Sequence, residues 1–210
     1  MIENKDLKRR IIEITYKKGL SHIGSSLTAV DIINDIYQKK EKDEEFVLSS
    51  GHAGLALYVV LEKYEGLNAE EIFDHHGVHP DRCSECHISV SSGSLGHGLG
   101  IALGMALADR SKNVYCLISD GECSEGSLWE AMRVQKELYV DNLFVTCNIN
   151  GWGAYKQINP MQLRNQLEYM SWVKSEFTSL NGYPAWLQDQ DAHYLTLDKE
   201  KYQELLKLLA

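Results

Sequence analysis

The sequence has 210 residues, enough for one domain of ordinary size, and its 44% apolar and 24% charged content is that of a folded globular chain. A formal charge of −9 disfavours nucleic acid and anionic membrane surfaces as partners. No apolar run reaches the ~20 residues of a membrane span, the N-terminus lacks a signal-peptide core, and the odd number of cysteines reads as reduced thiols in a cytoplasmic protein.

Leu7, Ile11 and Ile14 predict a helix over residues 4–18 that Gly19 stops. "SHIGSS" reads as a loop, and the helical period resumes over 27–40 with Leu27, Val30, Ile33 and Ile36. "FVLSS" predicts a short buried strand that leads through Gly51 into a long apolar helix, "HAGLALYVVLEKY". His75 and His76 are expected at a helix end, where a cation suits the dipole. The stretch from His75 to Gly96 is a loop of a length that is usually functional or disordered, and it feeds the glycine-containing helix "HGLGIALGMALADR".

Next come a strand "VYCLISD", a helix "SLWEAMRVQKELY" and a strand "NLFVTCNI". This β-α-β unit predicts two parallel neighbouring strands. Trp129, Met132 and Leu138 read as core-facing, and Cys116 and Cys147 as buried thiols. A helix over 161–178 and a last one over 198–209 complete the chain. The fold class is α/β, a mostly parallel sheet flanked by helices, forming a single domain over 1–210.

Asp120 and Asn150 both fall at the carboxyl ends of strands, where ligands bind in open parallel sheets. A carboxylate plus an amide oxygen suits Mg²⁺ or Ca²⁺, and Gly121 and Gly151 let a phosphate approach the backbone. The helix starting near Gly126 would aim N–H groups at such a phosphate. Asp-Gly and Asn-Gly are also ordinary turn dipeptides, so one pair alone leaves both readings open.

Four ordered blocks extend the pattern. They are "SHIGSSLTAVDII", "FVLSSGHAGLALY", "SSGSLGHGLGIALGMALA" and "SDGECSEGSLWEAMRVQKELYVDNLFVTCNINGWG". Together they resemble the N-terminal half of transketolases, especially those split over two polypeptides, and the last block resembles the thiamine-diphosphate motif. The resemblance implies a diphosphate-binding fold, shortened in its C-terminal part because 153–193 lacks the last part of the usual sheet.

It also implies a set of site residues. Asp120, the Asn150 side chain and the Trp152 carbonyl match metal ligands, and Gly121 a backbone contact to the diphosphate. Gly93 and Leu95 match contacts to the aminopyrimidine, and Glu125 a buried glutamate at the subunit interface. His22, His52, His79 and His193 match histidines that line the reactive carbon and the substrate channel. Imidazoles there can donate hydrogen bonds to a developing alkoxide and shuttle protons. Ser119 and Asn148 depart from the usual glycine and aspartate of the motif.

The resemblance further implies a cytoplasmic transferase subunit, active only with a separate transketolase C-terminal subunit that carries the pyrimidine-binding domain. The expected complex is a heterotetramer with two of each chain. The alternatives are another thiamine-diphosphate subunit, of 1-deoxyxylulose-5-phosphate synthase or 2-oxo acid decarboxylase type, and a non-catalytic relic. "CSECH" raises a separate question. Its haem-attachment spacing needs export, for which no signal is present. Cys83, Cys86, His87 and His79 make a possible zinc set, and the competing reading is a channel loop that contains thiols.

Overall fold

Twelve helices and strands follow one another along the chain, as described by a computed structural model over residues 2–153, 156–188 and 194–210. In chain order they are α1 (Lys5–Lys18), α2 (Ile23–Tyr37), β1 (Glu45–Leu48), α3 (Gly54–Glu65), α4 (Ala69–His76), α5 (Gly98–Ala108), β2 (Val114–Ser119), α6 (Gly126–Glu137), β3 (Leu143–Ile149), α7 (Pro160–Met170), β4 (Lys174–Phe177) and α8 (Lys199–Leu208). The contacts divide the chain into a helical unit, residues 1–37, 52–78 and 179–210, and a sheet unit, residues 38–51 and 79–178.

In the helical unit, α1 buries Leu7, Ile11, Ile12 and Ile14, the stripe its periodicity predicts. Gly19 ends it in the left-handed region at φ 64°, its N–H turned back to the Thr15 and Tyr16 carbonyls. Eight consecutive residues of α3, Gly54 to Leu61, are buried. This makes α3 the axis of the unit, each large apolar side chain contributing ~1.5–3 kcal/mol. Arg10 of α1 forks onto Glu62 of α3, at 2.7 and 3.1 Å, and reaches Glu70 of α4 at 3.1 Å. Asn68 caps α4, accepting the Glu70 and Glu71 N–H groups.

The sheet unit is a four-stranded parallel sheet in the order β1-β2-β3-β4. Alternate residues Val114, Cys116 and Ile118 of β2 and Val145, Cys147 and Ile149 of β3 enter one core. Leu99, Ala102, Leu103 and Ala106 of α5, Leu128, Ala131 and Met132 of α6, and Leu163 and Leu167 of α7 pack into the same core. At the opposite end of the strands from Asp120, the Asn142 amide donates to the carbonyls of Ala106, Asp109 and Lys112 and ties off the end of α5. The predicted pairing of β2 with β3 holds in register, Ser119 opposite Asn148.

Four expectations shift. α2 begins at Ile23, inside the expected loop, because Ile23 and Ser26 are buried and draw Gly24 and Ser25 into the first turn. The helix expected over 161–178 ends at Met170, and Lys174–Phe177 forms a fourth strand paired with β3, so the sheet runs one strand further than the sequence suggested. α4 extends N-terminally from the expected histidine end to Ala69, because the Asn68 cap starts it and Ala69 and Ile72 are buried. Leu138 lies one residue past α6 and is 49% exposed, outside the core.

Candidate active site

Asp120 follows the last residue of β2, and Asn150 follows the last residue of β3. Adjacent parallel strands therefore bring together two residues separated by thirty positions. The Asp120 carboxylate is buried, 1% exposed. Its Oδ2 accepts the N–H groups of Asn150 at 3.0 Å and Gly151 at 2.7 Å, and its Oδ1 accepts the Gly121 N–H at 3.0 Å. The Asn150 Oδ1 accepts the Trp152 N–H at 2.9 Å, and Gly151 at φ 87° makes the tight turn between them.

Burial pushes the Asp120 carboxyl up to about 6, while the N–H groups of Gly151, Gly121 and Asn150 pull the other way. A buried carboxylate held by backbone N–H groups, next to an amide oxygen, is a donor set that fits a hard divalent cation. Trp152 pairs its backbone with Gln157, and Gly153 donates to the Lys156 carbonyl at 2.9 Å.

The stretch after Asp120 differs from expectation. α6 does begin at Gly126, but a 3-10 turn, Gly121–Ser124, stands between it and Asp120, and the N–H groups that follow the carboxylate belong to this turn. Within the turn, Glu122 is fully buried and was not singled out from the sequence. Its Oε1 accepts the Ser49 hydroxyl at 2.6 Å and the Gly96 N–H at 3.0 Å, and its Oε2 accepts the Ser119 N–H at 3.0 Å. Burial pushes this carboxyl upward and the three donors oppose it. One side chain thus joins the end of β1, the loop before α5 and the end of β2. Glu125, expected at a subunit interface, is exposed on this chain.

The loop holding Gly93 and Leu95 is pinned by close approaches. Gly93 sits at φ 124°, and a Cβ there would come within 2.8 Å of the His79 ring. Gly96 sits at φ 80°, and a Cβ there would come within 2.7 Å of the Glu125 Cβ. A Cβ on Gly98 would reach 2.6 Å from the Ser49 backbone. His79 and Gly93 are therefore brought into contact, with the His79 imidazole exposed.

His22 and His52 belong to the helical unit, with ring centroids 6.3 Å apart at 63°. Both are half-buried, and His22 adopts φ 61° at the entry to α2. Tyr194 stands 6.3 Å from His22 by ring centroids. His193 lies outside the described residues. The four residues of the possible zinc set do not come together. The Cys83 and Cys86 sulfurs lie within 4.8 Å of each other, but among the described residues His79 and His87 do not join them in a metal-sized cluster. His79 is packed on Gly93, and His87 sits at φ 54° in a turn.

The family profile described as 1-deoxy-D-xylulose-5-phosphate synthase matches residues 3–203. The chain belongs to this family, that of the 1-deoxy-D-xylulose-5-phosphate synthase and transketolase N-terminal domains. One of the subunits of the apulose-4-phosphate transketolase of Phocaeicola vulgatus is 32% identical over 170 residues, covering 71% of this chain and 60% of that one. Human transketolase is 35% identical over 189 residues, covering 78% of this chain and 30% of that one. The chain therefore spans less than two thirds of the length of either relative. A transketolase variant from Pichia stipitis superposes with a TM-score of 0.76 at 18% identity, over 98% of this chain and 40% of that one, a likeness of fold. The profile carries the name of an enzyme kept above as an alternative, while these relatives carry transketolase names.

Among the described residues, no helix is long and apolar enough to cross a membrane.

Proposed function

We propose that this chain is the diphosphate- and Mg²⁺-binding subunit of a two-polypeptide, transketolase-like enzyme that transfers a two-carbon ketol unit between sugars. The observation that carries the reading is the buried Asp120 carboxylate at the end of β2, held by the backbone N–H groups of Gly121, Asn150 and Gly151 and set beside Asn150. Asp120, Asn150 and the Trp152 carbonyl would hold Mg²⁺ (or Ca²⁺), and the Gly121 backbone would meet the diphosphate. Gly93 and Leu95 would position the aminopyrimidine, and the contact of His79 with Gly93 supports a shared role for that loop.

When bound, thiamine diphosphate supplies the carbanion chemistry that cleaves and re-forms the ketol carbon–carbon bond. This chain's residues orient it and move protons. His22 and His52 would hold protons on their ring nitrogens and donate them to sugar oxygens that gain charge. His79 and His193 would do the same along the path of the sugar. The transketolase names of the relatives favour ketol transfer over the synthase reading. A relative named as one subunit of a transketolase favours a partner polypeptide, which would bear the pyrimidine-binding domain in a complex with two of each chain. Glu125, exposed here, would be covered in that complex. We place the complex in the cytoplasm.

The test is turnover of a ketose phosphate and an aldose phosphate by the assembled complex. His22→Ala and His52→Ala should each lower kcat by about 10²–10⁴-fold, while the Kd for thiamine diphosphate stays within roughly threefold. A parallel loss of binding and turnover would make the two histidines structural. Formation of 1-deoxy-D-xylulose 5-phosphate in place of ketol transfer would select the synthase alternative.

A further inference from the structure

The loop between α4 and α5 carries a feature that the proposed chemistry does not use. Cys83 and Ile88 exchange two backbone hydrogen bonds of 2.9 Å, which close a narrow hairpin. His87 turns its tip at φ 54°, with its N–H on the Ser84 carbonyl. This puts the Cys83 and Cys86 sulfurs within 4.8 Å of each other, both partly exposed. The Cys86 N–H points at the Cys83 Sγ at 3.3 Å, a donor placed to stabilise negative charge on that sulfur.

We propose that Cys83 and Cys86 are a modification site, a dithiol that reacts with low-molecular-weight disulfides such as oxidised glutathione to form a reversible Cys83–Cys86 disulfide. The Cys83 thiolate attacks one sulfur of the small disulfide, forming a mixed disulfide and releasing one thiolate, which takes up a proton. Cys86 then gives up its proton and attacks the Cys83 sulfur, displacing the second small thiol. Two protein sulfurs are oxidised, and the small disulfide is reduced to two thiols.

The order of attack follows from the surroundings. Burial first, then the hydrogen bond and charge of Cys83, push the Cys86 thiol up to about 11. The Cys86 N–H directed at the Cys83 sulfur makes Cys83 the attacking thiol and leaves Cys86 to resolve at close range once Cys83 is occupied. The other neighbouring thiols make a contrast. Cys147 is fully buried in β3, and its interaction with Cys123 and burial hold it protonated, while Cys116 is buried in β2. These thiols give a small disulfide no access. The hairpin lies in the same loop as His79 and Gly93, so closing the disulfide would stiffen the segment that supports them.

The experiment treats the reduced full chain with oxidised glutathione in chelator-treated buffer and reads intact mass, thiol count and peptide maps. The wild type should lose two of its five thiols, retain no glutathione and yield a Cys83–Cys86 linked peptide that dithiothreitol reverses. Cys86→Ser should stop at a mixed disulfide on Cys83, and Cys83→Ser should react roughly tenfold or more slowly. Glutathione retained on the wild type, an unreactive pair, or oxidation of Cys123 and Cys147 instead would each overturn the proposal.

Discussion

Asp120→Ala is expected to weaken Mg²⁺-dependent binding of thiamine diphosphate by at least ~100-fold in the assembled complex. The residue has two tasks. Its carboxylate supplies the only charged ligand of the proposed metal set, and its Oδ2 gathers the Asn150 and Gly151 N–H groups that shape the turn presenting the second ligand. Alanine removes both, and leaves those N–H groups without their acceptor in a buried place. Asp120→Asn separates the tasks, because it keeps an oxygen for the turn and loses the charge. Calorimetric titration should find it closer to alanine than to the wild type. Wild-type binding by the asparagine variant would remove Asp120 from the metal set.

The second large effect falls on folding. Glu122→Ala should destabilise the sheet unit by about 3 kcal/mol or more, lowering the melting midpoint by roughly 10 °C. The alanine leaves the Ser49 hydroxyl and the Gly96 and Ser119 N–H groups facing a void where the carboxylate had joined them. Glu122→Gln retains one acceptor oxygen but turns an NH₂ group toward donors, so its loss should be intermediate. Thermal and urea unfolding measure both. A change below about 0.5 kcal/mol for alanine would mean that the two strand ends and the loop are held by apolar packing alone.

Part of this architecture was legible because the deciding signals are local. β2, α6 and β3 each carry their own period, and a β-α-β unit with Asp120 and Asn150 after its strands forces both to one edge of the sheet. Gly19 and the burial of Cys116 and Cys147 followed from the same kind of reading. What was missed is non-local. Glu122 reads as an exposed charge in a polar turn, and its partners Ser49 and Gly96 lie 73 and 26 positions away. β4, with the sequence Lys-Ser-Glu-Phe, has no buried face of its own and becomes a strand only by hydrogen bonding to β3. Gly24, Ser25 and Ser26 carry turn chemistry that tertiary burial overrides. The thiol pair was visible as Cys-x-x-Cys, but the backbone bridge that turns Cys83 and Cys86 toward each other depends on Ile88.

The central claim is that this chain supplies a Mg²⁺–diphosphate site completed by a partner. Calorimetric titration of thiamine diphosphate with Mg²⁺, into the chain alone and into its mixture with a chain bearing the pyrimidine-binding domain, tests it most directly. Mg²⁺-dependent binding is expected in the mixture, with little in the chain alone. No binding in a mixture shown to assemble would contradict it, and would mark the chain as a relic that kept the fold without the cofactor.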